Sequence, residues 1–169
     1  TSGTGSLQLK NVGSLSMLFP VGISDSSYTP LAIVSNGTPD DFKVRVQKGV
    51  LSEGNSGTII TGKAVNRTWF LQEGTPGGTD AEITLQWNTQ DELDSLERDN
   101  MYLMHFSNNT WDYGSAISAL GSNPWQLTRS GVTSFSPFAI GNVDTFIPVT
   151  SIDPKTNLSD EKFATIYPN

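Results

Sequence analysis

The stretch Ala81-Glu82-Ile83-Thr84-Leu85-Gln86-Trp87-Asn88 puts Ile83, Leu85 and Trp87 on one side of an extended chain and Glu82, Thr84 and Gln86 on the other. Successive side chains of a strand point to opposite faces, so a period of two predicts a strand with one face on a core and one in water. Phe42-Lys43-Val44-Arg45-Val46-Gln47 repeats the pattern with Phe42, Val44 and Val46 inward. Val65–Leu71, Met101–Phe106 and Val132–Ile140 are further strands on the same reading. A half-buried strand must lay its apolar face on another layer. Many short strands separated by Gly, Pro, Asn and Ser turns therefore predict an all-β antiparallel sandwich, immunoglobulin-like or jelly-roll-like.

The remaining segments fit around this plan. Leu7–Leu9, Leu15–Phe19 and Thr29–Val34 are expected strands, with Pro30 at a strand start. Residues 48–58 hold three Gly and little apolar content, and are expected to form a loop. Thr89-Gln90-Asp91-Glu92 matches a capping box, which predicts one short helix near 90–97 with Thr89 as N-cap and Leu93 and Leu96 facing the sheet. Ser107-Asn108-Asn109 and Ser130-Gly131 are expected hairpin turns. Alternation stops after Asn142, so the expected organisation is a β-sandwich over 1–142, a linker over 143–162 with Pro148 and Pro154, and a new unit starting at 163–169.

Composition excludes several classes. The chain has 169 residues, long enough to bury a core without staples, and no Cys, so neither disulfides nor thiolate metal sites are available. Net charge is −7 with a pI of about 4.5, and ten Lys+Arg scattered along the chain do not read as a nucleic-acid patch. No apolar run approaches the length of a membrane span. The opening at Thr1, without Met or an apolar leader, reads as a piece of a longer protein whose export signal lies elsewhere.

Residues that could carry chemistry are few. His105 is the sole histidine, without the second His or Cys of a zinc site and without a Gly-x-Ser-x-Gly elbow elsewhere. A structural or surface role is expected for it. Asp91, Glu92, Asp94, Glu97 and Asp99 lack EF-hand spacing and read as a solvated helix face. Asp40, Asp41 and Asp80 near strand ends are the residues that could hold a calcium ion. Glu82 is a strand-borne carboxylate with no opposing partner, so no glycosidase pair is assigned, and no catalytic residue is named. Among the four Trp, Trp69 and Trp87 read as core. Trp111 and Trp125 lie beside turns and are the candidates for stacking against a glycan. Asn36-Gly37-Thr38, Asn66-Arg67-Thr68, Asn108-Asn109-Thr110 and Asn157-Leu158-Ser159 match the N-glycosylation acceptor pattern.

Several landmarks resemble a known family. Phe19-Pro20-Val21-Gly22, Tyr28-Thr29-Pro30-Leu31, Asn66-Arg67-Thr68-Trp69, Ile83-Thr84-Leu85-Gln86-Trp87 and the run Gly131–Gly141 resemble β-domains of large surface and secreted proteins of Bacteroidetes. In that family the domain precedes a C-terminal sorting domain of the type IX secretion system. Tyr167-Pro168-Asn169 looks like the opening of such a sorting domain, and Asp94-Ser95-Leu96 resembles the O-glycosylation acceptor of those bacteria, with Ser95 as the acceptor. The resemblance implies a non-enzymatic stalk or spacer domain that reaches the cell surface or medium through the periplasm. Its partner would be the outer-membrane secretion machinery. The alternative it leaves open is a carbohydrate-binding or adhesive module at the surface.

Overall fold

The computed structural model describes residues 5–24 and 26–146. The expected antiparallel β-sandwich is present. Thirteen strands run in chain order as β1 (Leu7–Val12), β2 (Met17–Phe19), β3 (Leu31–Ser35), β4 (Asp40–Lys48), β5 (Leu51–Glu53), β6 (Ser56–Ile59), β7 (Arg67–Glu73), β8 (Ala81–Trp87), β9 (Tyr102–Ser107), β10 (Thr110–Asp112), β11 (Leu120–Gly121), β12 (Trp125–Val132) and β13 (Pro137–Gly141). One six-stranded sheet has the order β1-β4-β7-β13-β9-β10; the facing five-stranded sheet has the order β11-β12-β8-β3-β2. β5 and β6 form a separate two-stranded ribbon.

Alternation decides the core. Along β8 the burial is strictly every second residue, and Ala81, Ile83, Leu85 and Trp87 are inaccessible. They meet Phe42, Val44, Trp69 and Phe138 of the opposite sheet in one hydrophobic cluster. Both core indoles have their N–H satisfied, as a buried Trp requires. Trp69 Nε1 donates to the Thr29 carbonyl at 2.9 Å, and Trp87 Nε1 donates to Glu92 Oε1 at 2.8 Å.

Four expectations need correction. The helix near 90–97 is a single 3-10 turn over Thr89–Asp91, with Asn88 rather than Thr89 at its N-cap position. Glu92 is already extended, because its carboxylate is drawn to Trp87 and Arg98 and Asp91 is drawn inward. The Ser130-Gly131 hairpin does not form. β12 runs straight through these residues with a bulge between Arg129 and Val132, where Gly131 supplies φ +71°, and β12 and β13 lie in different sheets. The loop at 48–58 contains β5 and β6 instead. Finally, the packed unit extends past Asn142: Val143–Phe146 form a short helix, α1, whose Phe146 is buried. The rest of the expected linker and the segment 163–169 lie outside the described residues. The other tight turn is as expected, with Asn108 and Asn109 both at positive φ between β9 and β10.

The six-stranded sheet also buries part of its outer face. Met104, Trp111, Ala139 and Phe146 form a second cluster with Val50 and Ala64. The β5–β6 ribbon and α1 cover it: Gly54 lies against the Phe106 ring, which a Cβ there would meet at 2.5 Å, and Trp111 Nε1 donates to the Leu51 carbonyl at 3.2 Å. β13 consequently has all five residues buried. Pro137 opens that strand, where its missing N–H is tolerated.

Candidate functional site

The two candidate stacking residues do not share a surface. Trp111 is on β10 of the six-stranded sheet and only 3% exposed, with its ring edge-to-face with Phe106 and Phe146. The expectation that it is exposed is overturned, because α1 and the ribbon close over it. Trp125 is on β12 of the five-stranded sheet, opposite Trp87, and half-buried. Arg98 stacks over its ring at 4.4 Å and its Nε1 donates to Thr89 Oγ1 at 2.9 Å. One face of the ring is thus already taken by a guanidinium.

The acidic run does not form a solvated helix face. Asp91 is inaccessible and paired with Arg67, which also donates to Ser27 Oγ and to the Asn66 carbonyl. The second Asp91 oxygen accepts the Asn88 N–H at 3.0 Å. Glu92 takes Arg98 in a two-pronged pair at 2.9 and 2.6 Å while also accepting from Trp87. These carboxylates tie the turn after β8 to β7 and to the core. Asp94, Glu97 and Asp99 remain exposed. A buried ion pair of this kind is stable only when both partners keep their full set of bonds.

His105 is buried and lies on the inner face between Phe138 and Asp112, its cross-strand neighbours. It stacks on Phe138 with centroids 4.5 Å apart, and Nδ1 lies 3.3 Å from Asp112 Oδ2. Arg129 takes the other Asp112 oxygen at 2.6 Å and also donates to the Leu103 carbonyl, so this cluster joins the two sheets. Nε2 has no partner among the described residues. Burial holds the His105 pKa below its ordinary value; Asp112 opposes this, and Arg129 adds to it. Burial wins because Asp112 already carries a guanidinium. Its contacts among the described residues are with Asp112 and Phe138, and a structural role fits it.

The expected calcium ligands serve other ends. Asp40 accepts the backbone N–H groups of Asp41 and Thr75, and Asp41 accepts from Asn11 N–H and the Gln8 amide. Asp80 is exposed. Among the described residues no group of three or more His, Asp or Glu side chains comes together in a way that could hold a metal. Nor is any described helix long and apolar enough to cross a membrane.

Ser95 is exposed, at φ +63° on a turn rather than on a helix. It lies on the rim of a groove of about 920 Å³, whose lining includes Glu53, Ile60, Lys63, Asp94, Trp111 and Phe146. Asn36 and Asn108 are exposed and Asn66 is half-buried. Tyr167, Pro168, Asn169 and the Asn157 acceptor lie outside the described residues.

Two smaller hollows open on the uncovered half of the same outer face, over β4 and β7. They share Arg45, Asn55 and Phe70. Sequence reasoning missed them because Lys43 and Arg45 read as the ordinary solvent side of an alternating strand and Lys48 as the start of a loop. Comparison of the chain with family models, curated proteins and solved structures found no match.

Proposed function

We propose that this chain is a non-enzymatic β-sandwich spacer domain near the C-terminus of a protein exported by the type IX secretion system, linking the exported cargo to its sorting domain. The observation that carries this reading is where the landmark residues sit. Phe19 and Val21 are in the core, and Gly22 passes the Ser27 carbonyl so closely that a Cβ would lie 1.7 Å from its oxygen. Thr29 offers its carbonyl to Trp69, and Arg67 holds Asp91. Ile83, Leu85, Trp87, Phe138 and Ile140 are all inaccessible. The shared landmarks therefore specify a scaffold, not an exposed set of reactive groups. That is the pattern of a domain kept for its shape.

Strand directions add a constraint on how such a spacer would act. β1 runs antiparallel to β4, and β13 runs parallel to it, so the chain enters β1 and leaves β13 at the same end of the sheet. Three strand steps separate them, about 14 Å at the usual strand spacing. The domain would stand to one side of the chain path, adding bulk and separation near the sorting domain instead of lengthening it by a full strand.

The test places residues 5–146 between a reporter and the downstream part of the precursor in a bacterium with this secretion system. Surface delivery should survive replacement of 5–146 by an unrelated β-sandwich of similar size. It should be lost when the region from residue 163 onward is removed. Delivery indifferent to that removal would overturn the export reading, and hydrolysis of a glycan or peptide by 5–146 would overturn the non-enzymatic one.

A further inference from the structure

The protein carries an acid-free cationic surface that its overall charge does not foreshadow. The net charge is −7, with 17 Asp+Glu against 10 Lys+Arg. The groove beside Ser95 mixes both signs, with Lys63, Glu53 and Asp94 in its lining. The two hollows over β4 and β7, of about 340 and 460 Å³, hold Lys43, Arg45 and Lys48 and no carboxylate. Both volumes fall within the ~300–1,000 Å³ typical of small-ligand clefts. None of these three cations forms an ion pair among the described residues, whereas Lys63, Arg67, Arg98 and Arg129 all do.

Arg45 is the centre of this surface. Its guanidinium carbon sits over the Phe70 ring, 3.5 Å from the centroid, and one N–H goes to Gln47 Oε1 at 3.1 Å. A guanidinium has five N–H donors, so donors remain to take an anion while the ring packs against it. Lys43 and Lys48 are exposed on either side, one in each hollow. Between them the lining mixes apolar groups, among them Leu51, Ile59 and Phe135, with amides: Asn55 in both hollows and Gln72 in one. We propose that this half of the outer sheet face binds an acidic oligosaccharide, with Arg45 and its flanking lysines holding carboxylate or sulfate groups and the amides holding sugar hydroxyls.

The mixture of groups selects that class over a nucleic acid. Duplex DNA carries about one charge per 1.7 Å of axis and needs a dense cationic track, which three cations on a strongly acidic domain do not provide. A sparsely charged, hydroxyl-rich chain matches isolated cations set among amides. The half-buried Phe70 offers an apolar wall beside them. This binding would be independent of the spacer reading, since Lys43, Arg45, Lys48, Asn55 and Gln72 lie outside the landmark segments.

The test is binding of residues 5–146 to oligogalacturonate, oligomeric κ-carrageenan, neutral dextran and oligodeoxythymidylate, measured by calorimetry at low salt. One or both acidic glycans should bind, and which one does separates carboxylate from sulfate recognition. Raising ionic strength from about 20 to about 300 mM should weaken binding severalfold. Arg45→Gln and the double variant Lys43→Gln/Lys48→Gln should each weaken it about fivefold or more, while Lys63→Gln in the other groove should not. The exposed lysine pair keeps the test decisive if Arg45→Gln disturbs Phe70. Absence of binding to both acidic glycans at millimolar concentration would overturn the proposal. So would binding unchanged in the Lys43/Lys48 variant, equal binding of dextran, or tighter binding of the oligonucleotide.

Discussion

The two faces of the six-stranded sheet bury side chains of similar size under very different covers. The inner face meets another sheet, and Phe42, Trp69 and Phe138 interlock there with Leu31, Ile83, Leu85 and Trp87. The outer face is covered over only one half, by a ribbon of two short strands and one helical turn, and Trp111 is sealed beneath them. The ribbon itself is almost wholly exposed, with no fully buried residue in β5 or β6. Both Trp87 and Trp111 are buried, yet the first is held by backbone ladders on both sides and the second by a flap with little apolar area of its own. Accessibility alone does not rank them; what matters is how cheaply each cover can open.

The largest effect should come from the inner face. Trp87→Ala removes a side chain locked between sheets, strands the Glu92 bond, and should cost roughly 3–5 kcal/mol in urea unfolding. Trp111→Ala should cost less, about 2–3 kcal/mol, because the ribbon can settle into the space. Hydrogen exchange in residues 50–60 should quicken in this variant while the amides of β8 stay protected. Equal losses from the two, or exchange that rises everywhere at once, would show that the outer cluster is part of one cooperative core.

A smaller effect is set by pH at the inner face. Burial holds the His105 pKa below its ordinary value of 6.5, so the unfolded chain takes up the proton first as pH falls. Stability is therefore full above about pH 6.5 and declines as pH drops below it toward the folded pKa. Thermal midpoints measured from pH 7.5 to 5.5 should fall in the parent and fall less in His105→Leu. An identical slope in both would remove His105 as the cause. The smallest effect belongs to the solvent side of the five-stranded sheet. Glu82 bonds only the exposed Ser130 hydroxyl, and Glu82→Ala should change stability by about 0.5 kcal/mol or less.

The outer cluster left a trace in the sequence. Met101-Tyr102-Leu103-Met104-His105-Phe106 and Pro137–Gly141 are apolar on both strand faces, unlike Ala81–Trp87, and a strand without a polar side is one covered twice. What covers it was not legible, because residues 48–59 show no apolar periodicity and form a ribbon through backbone pairing and side-chain bonds of Ser52, Ser56 and Thr58. The same holds for Asp91: its place in a capping box was readable, shifted by one residue, but its burial depends on Arg67, 24 residues away.

The sequence by itself determined most of the strands with their inward residues, the tight Asn108-Asn109 turn and the absence of thiol chemistry, because these follow from alternation, local dihedral preference and composition; it missed β5 and β6 and ran Val132–Ile140 together where residues 133–136 break the strand. Tertiary structure alone decided which strands share a sheet, so that β12 and β13 part where a hairpin was expected, and which charges are neutralised by partners distant in the chain. It also decided that Trp111 is enclosed, that Trp125 faces Arg98, and that Lys43, Arg45 and Lys48 gather in hollows free of carboxylates. Local patterns fix which way a side chain points from its own strand; what it meets there depends on the layers that fold over it.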